Sequence, residues 1–287
     1  MPDRVSELYR TAFVTGASGG LGRAFVKMLL LDGVQVWGTA RDPARLTGFA
    51  SGTAGSSSFT PVALDLAQPA AAEAVFAQST QAAGGGFDLV IQNAGYGVFG
   101  EFAGTDFAIW QEQLDAMLVT TARLSHAALR SMQARSRGAL VHVSSLATEF
   151  PLPFMSGYNV AKAGLSALSE SLLFETRGSS LSVIDFRPGD YRTAFNQAMH
   201  TRTAAPLSPA LTMGDVRLAR VWDSLEANLQ AGPPAGRAAG DLRRALLQQR
   251  RGVVRSGLFF QARLAPLLAR LAPASFVRTA TARYFGL

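Results

Sequence analysis

Thr15-Gly16-Ala17-Ser18-Gly19-Gly20-Leu21-Gly22 lies between a short apolar run at Ala12–Thr15 and an amphipathic segment at Leu21–Leu31. Glycines at 16, 20 and 22 allow a sharp backbone turn, and the free N–H groups at the start of the following helix, with the positive end of its dipole, favour a pyrophosphate. A glycine-rich turn standing alone would be weak evidence. Between a strand and a helix it points to a nucleotide held by Gly16, Ser18, Gly20, Leu21 and Gly22.

Outward from this turn, strand-like and helix-like segments alternate. Strands are expected at Val34–Thr39, Phe59–Leu64, Leu89–Gln92, Ala139–Ser144 and Leu181–Phe186, and helices near Ala70–Ala82, Asp106–Met132 and Gly157–Thr176. Strands that are apolar on both faces and separated by helices belong to a parallel sheet covered on both sides. The expected fold is α/β, a doubly wound, Rossmann-like sheet. It forms a single domain over residues 1–236, with 190–236 as a substrate loop or lid, where Pro206, Pro209, Pro233 and Pro234 accumulate. Residues 237–287 are expected to form a basic amphipathic extension. Gly48–Ser58 and Gly84–Gly86 interrupt the alternation as surface loops.

The chain has 287 residues, 48% hydrophobic and 16% charged, which suits a globular protein with a large core. With no cysteine, disulfides and cysteine-ligated metals are excluded, and no metal site is expected. The net charge of +7 is unevenly spread: from Arg237 to the end there are ten arginines and one acid, Asp241, which leaves −2 for the first 236 residues. The basicity belongs to the tail, which lacks the interleaved aromatic platform of a nucleic-acid binder, so no nucleic acid is expected. No run of 18 apolar residues occurs and residues 1–10 are charged, from which a cytoplasmic location is expected.

An acidic residue at the end of the second strand pairs the ribose hydroxyls of NAD and repels the extra phosphate of NADP. Here that position is Ala40, followed by Arg41, a guanidinium suited to a 2′-phosphate. NADP(H) is the expected cofactor, with NAD(H) as the alternative. Asp65, before Leu66, and Asn93-Ala94-Gly95 end the third and fourth strands, at the rim where such a sheet binds its ligand. Asp65 is expected at the adenine and Asn93 beneath the adenosine, although each also suits a cap or a turn.

Tyr158 and Lys162 share one helix face a turn apart. An ammonium beside a phenol favours phenolate and brings a group that titrates near ~10 closer to useful acid–base work. Only Lys27 and Lys162 are lysines among 27 basic residues, so Lys162 stands out in a chain that otherwise uses arginine. Ser145, thirteen residues before Tyr158 at a strand end, has a hydroxyl to offer a substrate oxygen.

Taken in order, Thr15-Gly16, Gly20, Gly22, Asp65, Asn93-Ala94-Gly95, Ser145, Tyr158, Lys162, Arg187-Pro188-Gly189 and Thr193 resemble the short-chain dehydrogenase/reductase family, from about Thr11 to Thr193. The resemblance implies hydride transfer between a nicotinamide and an alcohol or carbonyl carbon. It implies Tyr158 as the acid/base, Ser145 as the oxygen-orienting donor, and Lys162 as the ribose ligand that lowers the phenol's pKa, with Tyr158 as well as Lys162 in contact with the cofactor. Pro188, Gly189 and Thr193 would meet the nicotinamide end, and a homo-oligomer is common among relatives. One departure is Met117, where the family usually carries an active-site asparagine. A thioether cannot replace the amide's hydrogen bonds. The expectation is a working enzyme with an altered proton relay; the alternative is a cofactor-binding regulatory or scaffold protein with weak turnover.

Apolar residues near the expected nicotinamide, Tyr96, Val98, Phe99, Phe150, Leu152, Phe154, Met155, Tyr191, Phe195 and Met199, suit a hydrophobic, lipid-like alcohol or ketone. Within these, Phe99, Phe150, Phe154, Tyr191 and Phe195 are the expected substrate pocket. In the tail, Phe260, Leu264, Leu267, Leu268 and Leu271 form a stripe flanked by Arg263 and Arg270. Such a stripe packs on the catalytic domain or a second subunit, or lies in an anionic lipid interface. Tails ending in an aromatic–glycine pattern such as Tyr284-Phe285-Gly286 resemble those of lipid-handling reductases, which adds peripheral contact with the inner membrane surface to the expectations.

Overall fold

The structure, a computed structural model, describes residues 2–49, 58–195 and 216–287. It opens with β1 (Thr11–Val14), α1 (Gly20–Leu31), β2 (Gln35–Ala40), β3 (Phe59–Ala63), α2 (Pro69–Ala82) and β4 (Leu89–Gln92). Then come α3 (Phe107–Leu114), α4 (Thr120–Ala134), β5 (Gly138–Val143), α5 (Ser156–Glu175) and β6 (Leu181–Pro188). The chain ends with α6 (Val216–Ala231), α7 (Ala235–Leu247), β7 (Gly252–Ser256), α8 (Ala265–Leu271) and α9 (Ala274–Tyr284). The strands form one sheet in the order β3-β2-β1-β4-β5-β6-β7, every pair parallel. The order reverses beside β1, between β2 and β4, which opens a crevice at the strand C-termini.

Alternation along the central strands sends neighbours into two cores. Phe13, Val90, Leu140 and Val183 pack on one face with Phe76 of α2, Leu124 and Met132 of α4, and Leu172 of α5. Val14, Ile91, Val141 and Ile184 pack on the other with Phe25 and Leu29 of α1 and Leu242 and Leu246 of α7. Each such fully buried side chain contributes roughly 1.5–3 kcal/mol relative to exposure.

Three differences from the sequence reading concern the site. The long helix expected over Asp106–Met132 is interrupted by a π-helical turn, Asp115–Val119, that turns Met117 inward. The segment expected as a lid carries regular structure at 216–231, where α6 buries Leu218, Val221 and Leu225. Residues 196–215, with Met199, Pro206 and Pro209, lie outside the described residues, as do 50–57 of the expected Gly/Ser loop. The domain boundary expected after 236 falls inside α7, which starts at a Pro234 N-cap and packs on α1 through Ala238, Ala239 and Leu242. β7 then extends the sheet beside β6, so residues 237–256 pack as part of the sheet and its core. The extension proper begins near Gly257.

Candidate active site

The glycine turn takes its shape from two steric requirements. Gly16 sits at φ +69°, and a Cβ there would lie 2.8 Å from Ala94 Cα. A Cβ at Gly22 would lie 2.1 Å from the Gly16 carbonyl oxygen and 2.6 Å from Asn93 Nδ2. Gly22 therefore closes the helix against the turn and does not itself line the cavity. Asn93 holds this arrangement from below: its Nδ2 donates to the carbonyls of Thr15 at 3.0 Å and Gly16 at 3.3 Å, while its own N–H donates to Thr15 Oγ1 at 2.9 Å. The N-cap of α1 is Gly19, with no side chain to accept from the first turn, so the helix start is free to receive an anion.

A cavity of about 1010 Å³ runs from this turn across the strand C-termini. Gly16, Ser18, Gly20 and Leu21 line it at one end, with Ala40, Arg41, Asp65, Leu66, Ala94 and Gly95. Arg45, from the short turn after β2, joins Arg41 there and was not anticipated. The acid nearest in sequence, Asp42, spends its carboxylate capping that turn, accepting from Ala44 N at 2.9 Å. Asp65 also makes a local turn, accepting from Ala67 N at 3.1 Å, while facing the cavity. Free helix N–H groups, a turn that excludes Cβ atoms and two guanidiniums fit the phosphates of a dinucleotide.

At the other end Ser145, Tyr158 and Lys162 converge with Pro188, Gly189 and Thr193. Ser145 Oγ accepts from Ala147 N at 3.0 Å, which leaves its proton free, and the hydroxyl lies near enough to the Tyr158 phenol to lower its pKa. Ser144, one residue away, points into the core and donates to Asp185. Lys162 Nζ donates to the Val143 carbonyl at 2.7 Å and lies 5.8 Å from the centre of the Tyr158 ring. Burial raises the Tyr158 pKa to about 12; the Ser145 hydrogen bond works against this and the nearby Asp190 adds to it. Burial lowers Lys162 to about 8, opposed by the Asp185 carboxylate.

These shifts predict the alkaline stability of the fold. Lys162 ordinarily titrates at 10.5, so from pH 8 upward the unfolded chain holds more protons than the folded one and stability rises with pH. Tyr158, raised from 10.0, reverses the sign above pH 10, where the unfolded phenol ionises and the folded one does not. The urea midpoint should climb between pH 8 and 10 and then stop climbing. A monotonic fall across that window would contradict the burial of the ammonium.

Met117 is buried, and its Sδ accepts from the Tyr96 N–H at 3.5 Å. Its methyl faces Gly95, where a Cβ would lie 3.2 Å from it, next to Lys162 Nζ at 3.4 Å. The lysine's direct protein partner is thus the Val143 carbonyl. Of the expected substrate residues, Phe150, Tyr191 and Phe195 line the cavity, and Phe195 meets the Tyr158 ring edge-on at 5.8 Å. Phe99 and Phe154 do not: they pack on each other at 5.8 Å, and Phe99 on Trp222 at 5.2 Å. Aromatics after strand ends serve packing as readily as binding, and here the edge-to-face contacts hold them behind the wall.

The sequence reading also missed the far wall. Phe260, Gln261, Leu268, Phe276 and Tyr284 of the extension line the cavity. Gln261 Nε2 donates to Asp190 Oδ2 at 2.5 Å, tying this wall to the loop after β6. Burial raises the Asp190 carboxyl above its usual range. The Pro188-Gly189 turn was the signal available for Asp190; no local signal marks Gln261.

The sequence matches the short chain dehydrogenase family over residues 10–204. An uncharacterized oxidoreductase of Myxococcus xanthus is 34% identical over 225 residues, 75% of this chain and 88% of that one. Among solved structures, a short-chain dehydrogenase/reductase from Burkholderia phymatum in complex with NAD has a TM-score of 0.76 at 20% identity, covering 92% of each chain. An alcohol dehydrogenase from Thermococcus sibiricus, complexed with 5-hydroxy-NADP, has a TM-score of 0.67 at 22% identity, covering 87% of this chain and 97% of that one. At such identities the structural likeness establishes the fold alone. The family match over more than half of the sequence, joined to the Myxococcus likeness, makes this chain a member of the short-chain dehydrogenase family of oxidoreductases, which bind nicotinamide cofactors.

Proposed function

We propose that the protein is an NADP(H)-dependent oxidoreductase that interconverts a hydrophobic, lipid-like ketone and its alcohol. The observation that carries this reading is a single cavity with Arg41 and Arg45 at one end and Ser145, Tyr158 and Lys162 at the other. The nicotinamide, when bound, supplies or accepts the hydride at the substrate carbon. Tyr158 holds its proton at neutral pH and gives it to the carbonyl oxygen during reduction. Ser145, its Oγ already accepting from Ala147 N, directs its own proton at the same oxygen. The Lys162 ammonium stabilises the phenolate left behind. Phe150, Leu152, Met155, Tyr191 and Phe195 keep water from the reacting carbon and favour an apolar substrate.

Gly16, Ser18, Gly20 and Leu21 would hold the pyrophosphate, Asp65, Leu66 and Asn93-Ala94-Gly95 the adenosine side, and Pro188, Gly189 and Thr193 the nicotinamide side. Steady NADPH oxidation against a panel of lipophilic ketones tests the activity. Tight dinucleotide binding with no turnover on any member would favour the regulatory reading suggested by Met117. The cofactor preference has a separate test. Replacing Arg41 and Arg45 together by alanine removes charge-assisted contacts to a 2′-phosphate and should weaken NADPH binding about tenfold to a hundredfold. NADH affinity should hardly change, and an equal loss for both would refute the assignment.

A further inference from the structure

The extension has two uses. Phe260, Leu268, Phe276 and Tyr284 line the cavity, yet each remains between 51% and 65% exposed, so together they form the rim of its mouth. Beside them Phe259, Leu267 and Leu271 are 73%, 57% and 80% exposed without lining the cavity. A lone exposed apolar residue is ordinary, whereas seven within 26 consecutive positions make a patch that needs a partner. Within the extension the charge has one sign: Arg263, Arg270, Arg278 and Arg283 are exposed, and residues 257–287 contain no aspartate or glutamate.

We infer that this face docks on an anionic lipid bilayer, with the rim of the cavity turned toward the acyl chains. Exposed Phe and Leu side chains among arginines match an interface that is apolar below and negatively charged at its surface. Among the described residues no helix is long and apolar enough to cross a membrane. Helix runs on through Pro266 to Leu271, and Pro273, at the N-cap of α9, separates that stretch from α9, so the extension is built of two short helical pieces. A second copy of the chain suits the face poorly. A two-fold contact would bring four arginines from each side together with no acid from either extension, and like charges in one interface oppose association.

Co-flotation of the full chain with vesicles tests the docking by binding alone, so absence of ketone reduction would leave it standing. At low ionic strength the protein should float with phosphatidylglycerol/phosphatidylcholine vesicles and remain below phosphatidylcholine vesicles, and added salt should reduce the bound fraction. Replacing Phe259, Leu267 and Leu271 together by serine should lower partitioning more than about tenfold while dinucleotide binding is retained, since burying even one such side chain is worth that factor. Arg270→Gln with Arg278→Gln should weaken flotation without touching the apolar contacts. The inference is overturned if the full chain stays below anionic vesicles, or if the serine variant floats as well as the parent. Equal flotation with neutral vesicles overturns the charge argument. Self-association in sedimentation equilibrium that the serine substitutions abolish would assign the face to a second copy instead.

Discussion

Tyr158→Phe should lower the rate of NADPH-driven ketone reduction about 10²–10⁴-fold, the range contributed by a positioned general acid, and change dinucleotide affinity far less. The substitution removes one oxygen. The ring keeps its edge-on contact with Phe195 at 5.8 Å and its place on α5, so packing of the cavity is preserved. What is lost is the phenol proton held beside Ser145. Burial keeps that proton on the phenol up to a pH of about 12, which suits a donor in reduction. For oxidation the phenol must first ionise, and on the proposed mechanism the Lys162 ammonium, 5.8 Å from the ring centre, is the charge that favours it. Rates measured with saturating NADPH, alongside a fluorescence titration of the cofactor, separate chemistry from binding. A variant that turns over like the parent would show that the phenol is not the proton donor.

The parts of the site that were legible in the sequence are those whose geometry is local. Gly16, Gly20 and Gly22 act within one turn, and Tyr158 and Lys162 within one helix, so spacing alone predicts their relation. The parallel sheet was legible for a similar reason: strands such as Leu89–Gln92 carry apolar residues on both faces (Leu89, Val90 and Ile91) and cannot sit at a surface. What escaped was tertiary. Arg45 reaches the cavity because a short turn after β2 brings it beside Arg41, and Gln261 reaches Asp190 across 71 residues. β7 was missed because an edge strand of five residues, only partly buried, lacks the uniform apolarity of its neighbours. α7 was missed because its close packing on α1 uses Ala238 and Ala239, small side chains that read as a loop in an Ala/Gly-rich stretch. Phe99 and Phe154 were misplaced because their residue type is right for a pocket and only the edge-to-face stacking shows them spent on packing.

Asp185→Ala should destabilise the fold by about 3–5 kcal/mol, the cost of removing one partner from a buried ion pair, read as a fall in the urea midpoint. Asp185 is fully buried on β6, where its carboxylate accepts from Ser144, from Ser166 Oγ at 2.7 Å and from Arg187 Nε at 2.8 Å. Arg187 reaches on to Glu149 at 2.7 Å, and Glu149 to Arg255 at 2.8 Å. Without the carboxylate, two guanidiniums share one acid, and Ser144 and Ser166 lose an acceptor. Asp185→Asn keeps the shape and one acceptor oxygen but not the charge, so its cost should be smaller. This milder variant carries the functional consequence. The Asp185 charge is what counters burial at Lys162, whose pKa stands at about 8. Neutralising it lets the ammonium lose its proton at lower pH, and the alkaline limb of the oxidation rate should move toward acid. A destabilised Asp185→Asn enzyme with an unmoved pH profile would confine the carboxylate to holding the fold and remove it from the electrostatics of the lysine.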